Sequence, residues 1–202
     1  MMNELARLGV ATVYEANGRT GLIDVELHQV VTGSRVAGLA RTVRCAQDDN
    51  LMVHLAMAEL KPGEVLVISM PEATPVALVG ELLATQAQVH GAAGLLIDGA
   101  VRDLEELQKM GLPIWCRFVR VRGALRKTHG ELNVAVTIGG ALIHNGDVVV
   151  MDADGAVVIA ADRVDEVLRA SLAREKREAE NRNKFQSGVL SADLYGLRST
   201  NG

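Results

Sequence analysis

The chain has 202 residues, 49% of them hydrophobic and 2% aromatic, and a formal net charge of −4. Such a composition suits one domain with a sizeable core, lacks the basic footprint and stacking aromatics of a nucleic-acid binder, and offers no CxxC from its two cysteines, Cys45 and Cys116. No apolar run reaches membrane-spanning length and the N-terminus lacks a signal-peptide pattern, so the expectation is a cytoplasmic protein with neither nucleic-acid nor membrane partners.

Residues Asn3 to Ala16 read as one or two short helices, with Leu5, Leu8, Val13 and Ala16 available for burial and Asn17-Gly18 as a stop. Gly33 to Ala46 reads as a strand. Asp48-Asp49-Asn50 supplies N-cap candidates for a helix from Leu51 to Leu60. Lys61-Pro62-Gly63 is a turn, and Glu64 to Ile68 is apolar enough for a central strand. The stretch from Gly80 to Asp103, GELLATQAQVHGAAGLLIDGAVRD, organises the middle of the chain. It predicts a helix over Leu82–Val89, a strand over Gly94–Ile97, a turn at Asp98-Gly99-Ala100 and then the pair Arg102-Asp103. A helix of about ten residues travels ~15 Å out. A strand of about five residues travels ~16 Å back. Glu81 and Arg102-Asp103 are therefore expected at one edge of one sheet, the carboxyl end of its strands, where open α/β folds place ligands.

A helix over Leu104–Met110 stops at Gly111, and Pro113 to Cys116 is the next strand. Beyond it the period becomes two: Val119-Arg120-Val121-Arg122 alternates, Leu132 to Val136 is β-like, and Gly139-Gly140 and Asn145-Gly146 are turns. Val148–Met151 and Ala156–Ile159 pair around Asp154-Gly155. Asp162 is positioned to cap a last, long helix docked by Val164, Val167, Leu168 and Leu172. From Glu175 to Lys184 that helix is charged on every side, with Glu178–Arg182 and Glu180–Lys184 at favourable spacing. Leu194-Tyr195-Gly196-Leu197 then returns apolar residues to the end of the arm. The expected division is a domain over residues 1–161 and, over 162–202, a helix and arm packing on a neighbouring subunit.

Two carboxylates and a guanidinium at one sheet edge suit a metal and an acidic substrate. Hard oxygen ligands, few in number, fit Mg²⁺ or Mn²⁺. The N–H groups from Gly80 to Leu83 could hold a carboxylate. A purely structural reading competes, because Asp103 and Glu81 near helix starts would satisfy free N–H groups and the dipole without any chemistry. The five histidines, His54 among them, show no metal-ligand spacing and read as surface or helix-face residues. The basic cluster Arg117, Arg120, Arg122, Arg126 and Lys127 reads in part as the solvent face of a strand, with a contact surface for an acidic partner as the alternative.

Glu81, twenty intervening residues and then Arg102-Asp103 resembles the acidic-x20-Arg-Asp signature of class II 4-hydroxy-4-methyl-2-oxoglutarate/4-carboxy-4-hydroxy-2-oxoadipate aldolases, a branch of the RraA-like family. AxVYEANGRxG at residues 11–21, Asp49-Asn50-Leu51, IDGAVRD at 97–103, NGDVVVMDADGAVVI at 145–159 and LSADLYGLR at 190–198 extend the resemblance over nearly the whole chain. It implies a swivelling β/β/α fold of the phosphohistidine-domain type with a C-terminal helical arm, assembled as trimers or hexamers with sites between subunits. The implied activity is cleavage of a small 4-hydroxy-2-oxo acid to pyruvate, with oxaloacetate decarboxylation. By the same resemblance Asp103 would ligate Mg²⁺ or Mn²⁺ directly, and Glu81 and Glu106 would act on it through water. Arg102 would bind substrate and stabilise the enolate, and the backbone of Gly80, Glu81, Leu82 and Leu83 would hold the pyruvate carboxylate. The family also contains non-catalytic regulators that bind and inhibit ribonuclease E, the second reading for this chain. One departure stands out: relatives in the aldolase branch tend to carry Gly-Glu-Leu where this chain reads Gly188-Val189-Leu190.

Overall fold

The computed structural model describes residues 1–198; the last four positions of the expected arm, 199–202, lie outside them. Helices α1 (Met2–Leu8) and α2 (Val10–Ala16) open the chain, parted at Gly9, whose φ of 83° no helix accommodates. There follow β1 (His28–Gln29), β2 (Val36–Arg44), α3 (Leu51–Ala56), β3 (Glu64–Ser69), β4 (Ala77–Val79), α4 (Glu81–Val89), β5 (Gly94–Val101), α5 (Leu104–Met110) and β6 (Ile114–Val119). The remainder is β7 (Glu131–Leu132), β8 (Val136–Ile138), β9 (Ala141–Ile143), β10 (Val148–Asp152), β11 (Gly155–Ile159), a 3₁₀ turn at Ala161–Arg163, α6 (Val164–Gln186) and α7 (Ser191–Leu194).

The main sheet runs β1-β6-β5-β3-β2-β10-β11, with β4 on β5 and β7 on β2. Its centre is parallel, β2-β3-β5-β6, and both flanks are antiparallel. The segment after α2 reaches both open edges: Leu22 bridges Val157 on β11, and His28 and Gln29 pair with Cys116 and Trp115 on β6. That single connection nearly closes the sheet on itself.

Closure gives each strand an inside and an outside, and the two-residue period sorts the side chains accordingly. Val65, Val67, Leu96, Trp115, Val149 and Met151 face one interior core, which the β8–β9 hairpin plugs with Val136, Ile138, Ala141 and Ile143. Leu66, Ile68, Leu95 and Ile97 point outward beneath α3, α4 and α5. Val148, Val150, Val157 and Ile159 point outward beneath α1, α2 and α6. The indole N–H of Trp115 donates to the carbonyl of Asp152 at 2.9 Å, tying β6 to β10 across the interior.

Several expectations are corrected. Asp98-Gly99-Ala100 is not a turn but the buried continuation of β5, which carries an irregularity against β6 between Ile97 and Ala100. Gly99 packs closely there: a Cβ would lie 3.0 Å from Leu78 and 3.1 Å from Met70, so one of those side chains would have to shift. β6 stops at Val119, leaving Val121 exposed outside any strand. The run from Leu132 to Val136 is broken at Asn133, whose φ is 60°. Asp162 does not cap α6; it lies in the 3₁₀ turn, where the carboxylate of Asp147 takes the N–H of Ala161 instead. α3 ends at Ala56, short of the expected Leu60. On α6, Glu178 pairs backward with Arg174 at 2.8 Å, and no Glu178–Arg182 or Glu180–Lys184 pair forms among the described residues.

Candidate active site

Gly80 ends β4's connection and starts α4, while Arg102-Asp103 joins β5 to α5, so parallel pairing of β4 with β5 brings both junctions to one edge. A cavity of about 210 Å³ opens there. Gly80, Leu82, Leu83 and Gln86 line it from α4, Arg102 and Asp103 from the β5–α5 junction, Asn50 and His54 from α3, and Ala124 and Arg126 from the loop after β6.

Asp103 adopts left-handed backbone geometry, φ 61° and ψ 43°, which costs a non-glycine residue roughly 1–2 kcal/mol. Although it sits at the N-cap of α5, its side chain makes no bond to that helix. The carboxylate turns across to α4, where Oδ2 accepts the backbone N–H of Glu81 at 3.0 Å. Asp103 is thus a cap, but of the neighbouring helix, and Oδ1 is left without a hydrogen-bond partner among the described residues.

The guanidinium of Arg102 approaches the same oxygen only to 3.7 Å, beyond hydrogen-bond length, so its N–H donors remain available. The two side chains are 48% and 42% exposed, which puts both within reach of a ligand. Two glycines make room for them. A Cβ on Gly80 would lie 2.6 Å from the Asp103 carboxylate and 3.0 Å from Arg102 Nε; one on Gly123 would lie 3.0 Å from Arg102 Nη1. The first-turn N–H groups of Leu82 and Leu83 have no helical acceptor and open on the cavity with their residues.

Glu81 and Glu106 stand differently. The Glu81 side chain folds along α4, where Oε1 accepts the Thr85 hydroxyl at 2.9 Å, and it does not line the cavity. Glu106 is exposed in the first turn of α5 without a hydrogen-bond partner among the described residues.

Sequence reasoning missed Asn50, His54 and Arg126. Asn50 is buried, donates Nδ2 to the carbonyl of Leu78 at 3.0 Å and leaves its Oδ1 unpartnered. His54, one turn further along α3, has an unpartnered, buried Nε2; burial first and the charge of Arg126 second hold its imidazole below the usual histidine range. Their i, i+4 spacing was the available signal, since it places both on one helix face. Sequence groups Arg126 with a basic cluster that reads in part as the solvent face of a strand, with a contact surface for an acidic partner as the alternative; the strand ends at Val119, and Arg126 lies in the loop beyond it.

Among the described residues no group of three or more His, Cys, Asp or Glu side chains could hold a metal ion. The donor set here is one carboxylate oxygen in an exposed polar cavity. That suits a hydrated Mg²⁺-like ion, which keeps most of its waters, and does not suit an all-protein cage.

The family model described as RraA-like, Aldolase/RraA, matches residues 10–158. A Halalkalibacterium halodurans protein, named provisionally as a 4-hydroxy-4-methyl-2-oxoglutarate aldolase, is 33% identical over 161 residues, covering 80% of this chain and 77% of its own. An uncharacterized Pseudomonas syringae pv. tomato protein of known structure superposes with a TM-score of 0.82 at 26% identity, over 93% of this chain and 92% of its own. Streptomyces coelicolor RraAS2, described as an unusual member of the RNase ES inhibitor RraA protein family, superposes with a TM-score of 0.79 at 28% identity, over 89% and 94%. The swivelling mixed α/β body and C-terminal helix expected from sequence are shared with these structures, and so is the nearly closed sheet, which was not foreseen.

Proposed function

The chain belongs to the RraA-like (Aldolase/RraA) family, and on that premise we propose that it is a divalent-metal-dependent lyase that releases pyruvate. Its substrate would be 4-hydroxy-4-methyl-2-oxoglutarate or a related 4-hydroxy-2-oxo acid, with oxaloacetate decarboxylation as a second activity. The observation that carries this reading is the convergence of Asp103, the unpaired donors of Arg102 and the free N–H groups of α4 on one cavity. The provisional name of the Halalkalibacterium relative speaks for the same chemistry.

In this reading Asp103 would hold Mg²⁺ or Mn²⁺ through its free oxygen, and Glu81 and Glu106 would act through the ion's water. The bound ion supplies a Lewis acid for the 2-keto group. The N–H groups of Leu82 and Leu83, at the positive end of α4, take the substrate's carboxylate. Both reactions leave a pyruvate enolate, and Arg102 places fixed positive charge where that negative charge develops. Gly80 and Gly123 leave room for the guanidinium beside Asp103, so its free donors can turn toward the enolate oxygen. Subunit neighbours in a trimer or hexamer, reached by the arm over residues 162–198, would complete the site.

A second reading comes from the likeness to RraAS2, whose description places it among RNase inhibitors: a regulator that binds a ribonuclease and performs no chemistry. Pyruvate release from a panel of 4-hydroxy-2-oxo acids and oxaloacetate, with Mg²⁺ and with excess chelator, separates the two. Metal-dependent release supports the lyase. Absence of release with every metal and substrate, together with inhibition of ribonuclease E, supports the regulator.

A further inference from the structure

The cavity's outer wall is a loop, and the loop is held by a residue that never touches the cavity. Arg122 and Ala124 tie it to β4 through Ala77 at 2.7 and 3.3 Å. On its other side it is tied to the start of α3. Leu125 donates to the carbonyl of Asp48 and accepts from the N–H of Asn50, at 2.8 and 2.9 Å. The carboxylate of Asp49, 1% exposed, completes the clamp. Its Oδ2 accepts the N–H groups of Lys127 and Thr128 at 2.8 and 2.9 Å, and its Oδ1 accepts that of Leu51 at 2.9 Å. Burial alone would push this carboxyl up, but the three N–H donors hold it below the usual range, so Asp49 is an anion at neutral pH. Between the clamped residues stands Arg126, exposed, lining the cavity and without an acceptor among the described residues.

We infer that Asp49 is a positioning residue: it fixes the 124–128 loop so that Arg126 stands over the cavity as a second cation beside Arg102, favouring ligands that carry a second carboxylate. The inference rests on the reading of the cavity as a 2-oxo acid site. A structural explanation, in which Asp49 merely caps α3, accounts for the bond to Leu51 but not for the two bonds to the loop.

The test measures equilibrium binding of pyruvate and of 2-oxoglutarate, one carboxylate against two, to the full chain in Mg²⁺. In the wild type 2-oxoglutarate should gain affinity over pyruvate, by roughly ten- to a hundred-fold for one additional charge-assisted contact. Arg126→Gln should erase the gain and leave pyruvate binding in place. Asp49→Asn is nearly isosteric but cannot accept from all three N–H groups. It should lower the same ratio, speed amide exchange over residues 124–128, and add nothing in the Arg126→Gln background. Should Asp49→Asn not fold, Thr128→Gly at an exposed position loosens the loop from the other side and should move the ratio the same way. Equal losses for both ligands, additive effects in the double variant, or unchanged loop exchange would overturn the positioning role. Failure of either ligand to bind the wild type would instead remove the 2-oxo acid reading.

Discussion

The segment from Gly80 to Asp103 and the segment from Ser171 to Arg198 are of similar length and relate to the rest of the chain in opposite ways. In the first, every residue of β5 is buried and α4 buries Leu83, Ala84 and Ala87. Burying a side chain such as Leu95, Leu96 or Ile97 fully is worth roughly 1.5–3 kcal/mol, enough to hold Asp103 in a left-handed conformation it would otherwise avoid. In the second segment no residue after Ser171 is buried. What holds it is exposed: Arg174–Glu178 along the helix, Glu175 on Arg7 at 2.6 Å and Arg174 near Glu15 at 3.6 Å, and Tyr195 edge-on against Phe185 at 6.4 Å. Exposed pairs of this kind contribute little. Val189, Leu190, Tyr195 and Leu197 are left in the open, 40–70% exposed. One region uses its packing to hold the cavity residues in place; the other leaves apolar surface exposed, which the proposed trimer-based assembly would cover.

Substitutions at the site should break function without touching the frame that supports it. Asp103→Asn keeps an acceptor for the Glu81 N–H and tolerates the left-handed backbone, so Tm should hold within a few degrees. Loss of the anionic oxygen should lower kcat by about 10³-fold. Arg102→Lys should come close behind, by about 10²-fold or more, because a point charge does not replace a planar fork. Steady-state kinetics beside a thermal melt checks both; wild-type kcat in either variant would return the pair to a structural cap.

The arm offers the converse experiment, a gain. If it completes a neighbour's site, Val189→Glu supplies a carboxylate where aldolase relatives tend to carry one. Aldol cleavage, which needs a base for the substrate hydroxyl, should rise by about 10²-fold, while decarboxylation, which needs none to break its bond, should change little. An unchanged ratio of the two activities would detach the arm from the chemistry.

Gly80→Ala sharpens the first half of the comparison. Its φ of −129° suits any residue, so no backbone strain accompanies the change. The new methyl, 2.6 Å from the Asp103 carboxylate, must push that side chain aside. Turnover should fall about ten-fold, a smaller form of the misplacement penalty that positioning arguments predict, with Tm nearly unchanged. The smallest effect on the protomer's own stability should come from deleting the residues after Ala173, which removes no buried residue. Unfolding should barely shift, while sedimentation should show a smaller assembly. Unchanged mass and kinetics would leave the arm without its proposed role.

Much of this was legible in the residues. Lengths of the α4 helix and the strand after it suffice to return Arg102-Asp103 to Glu81's edge, the run Glu64–Ile68 marks a central strand, and Val148–Met151 and Ala156–Ile159 mark the final pair. The role of Asp103's side chain was not legible, because capping a helix other than its own depends on β4–β5 pairing, a contact distant in sequence. The same holds for Arg126, which sequence groups with the other basic residues after Cys116, and whose placement comes from Asp49 far upstream. Asp98-Gly99-Ala100 misleads for a related reason: the turn-like Gly is there for close packing on Leu78 and Met70, which only the tertiary fold reveals.

Binding of Mn²⁺ with oxalate, a planar dianion that mimics the pyruvate enolate, tests the central claim most directly, because it needs neither turnover nor a known acceptor. Followed by electron paramagnetic resonance, the wild type should bind Mn²⁺ more tightly with oxalate present. Asp103→Asn should lose the metal, and Arg102→Lys should keep the metal but lose the oxalate enhancement. Undiminished Mn²⁺–oxalate binding in Asp103→Asn would contradict a metal held by that carboxylate.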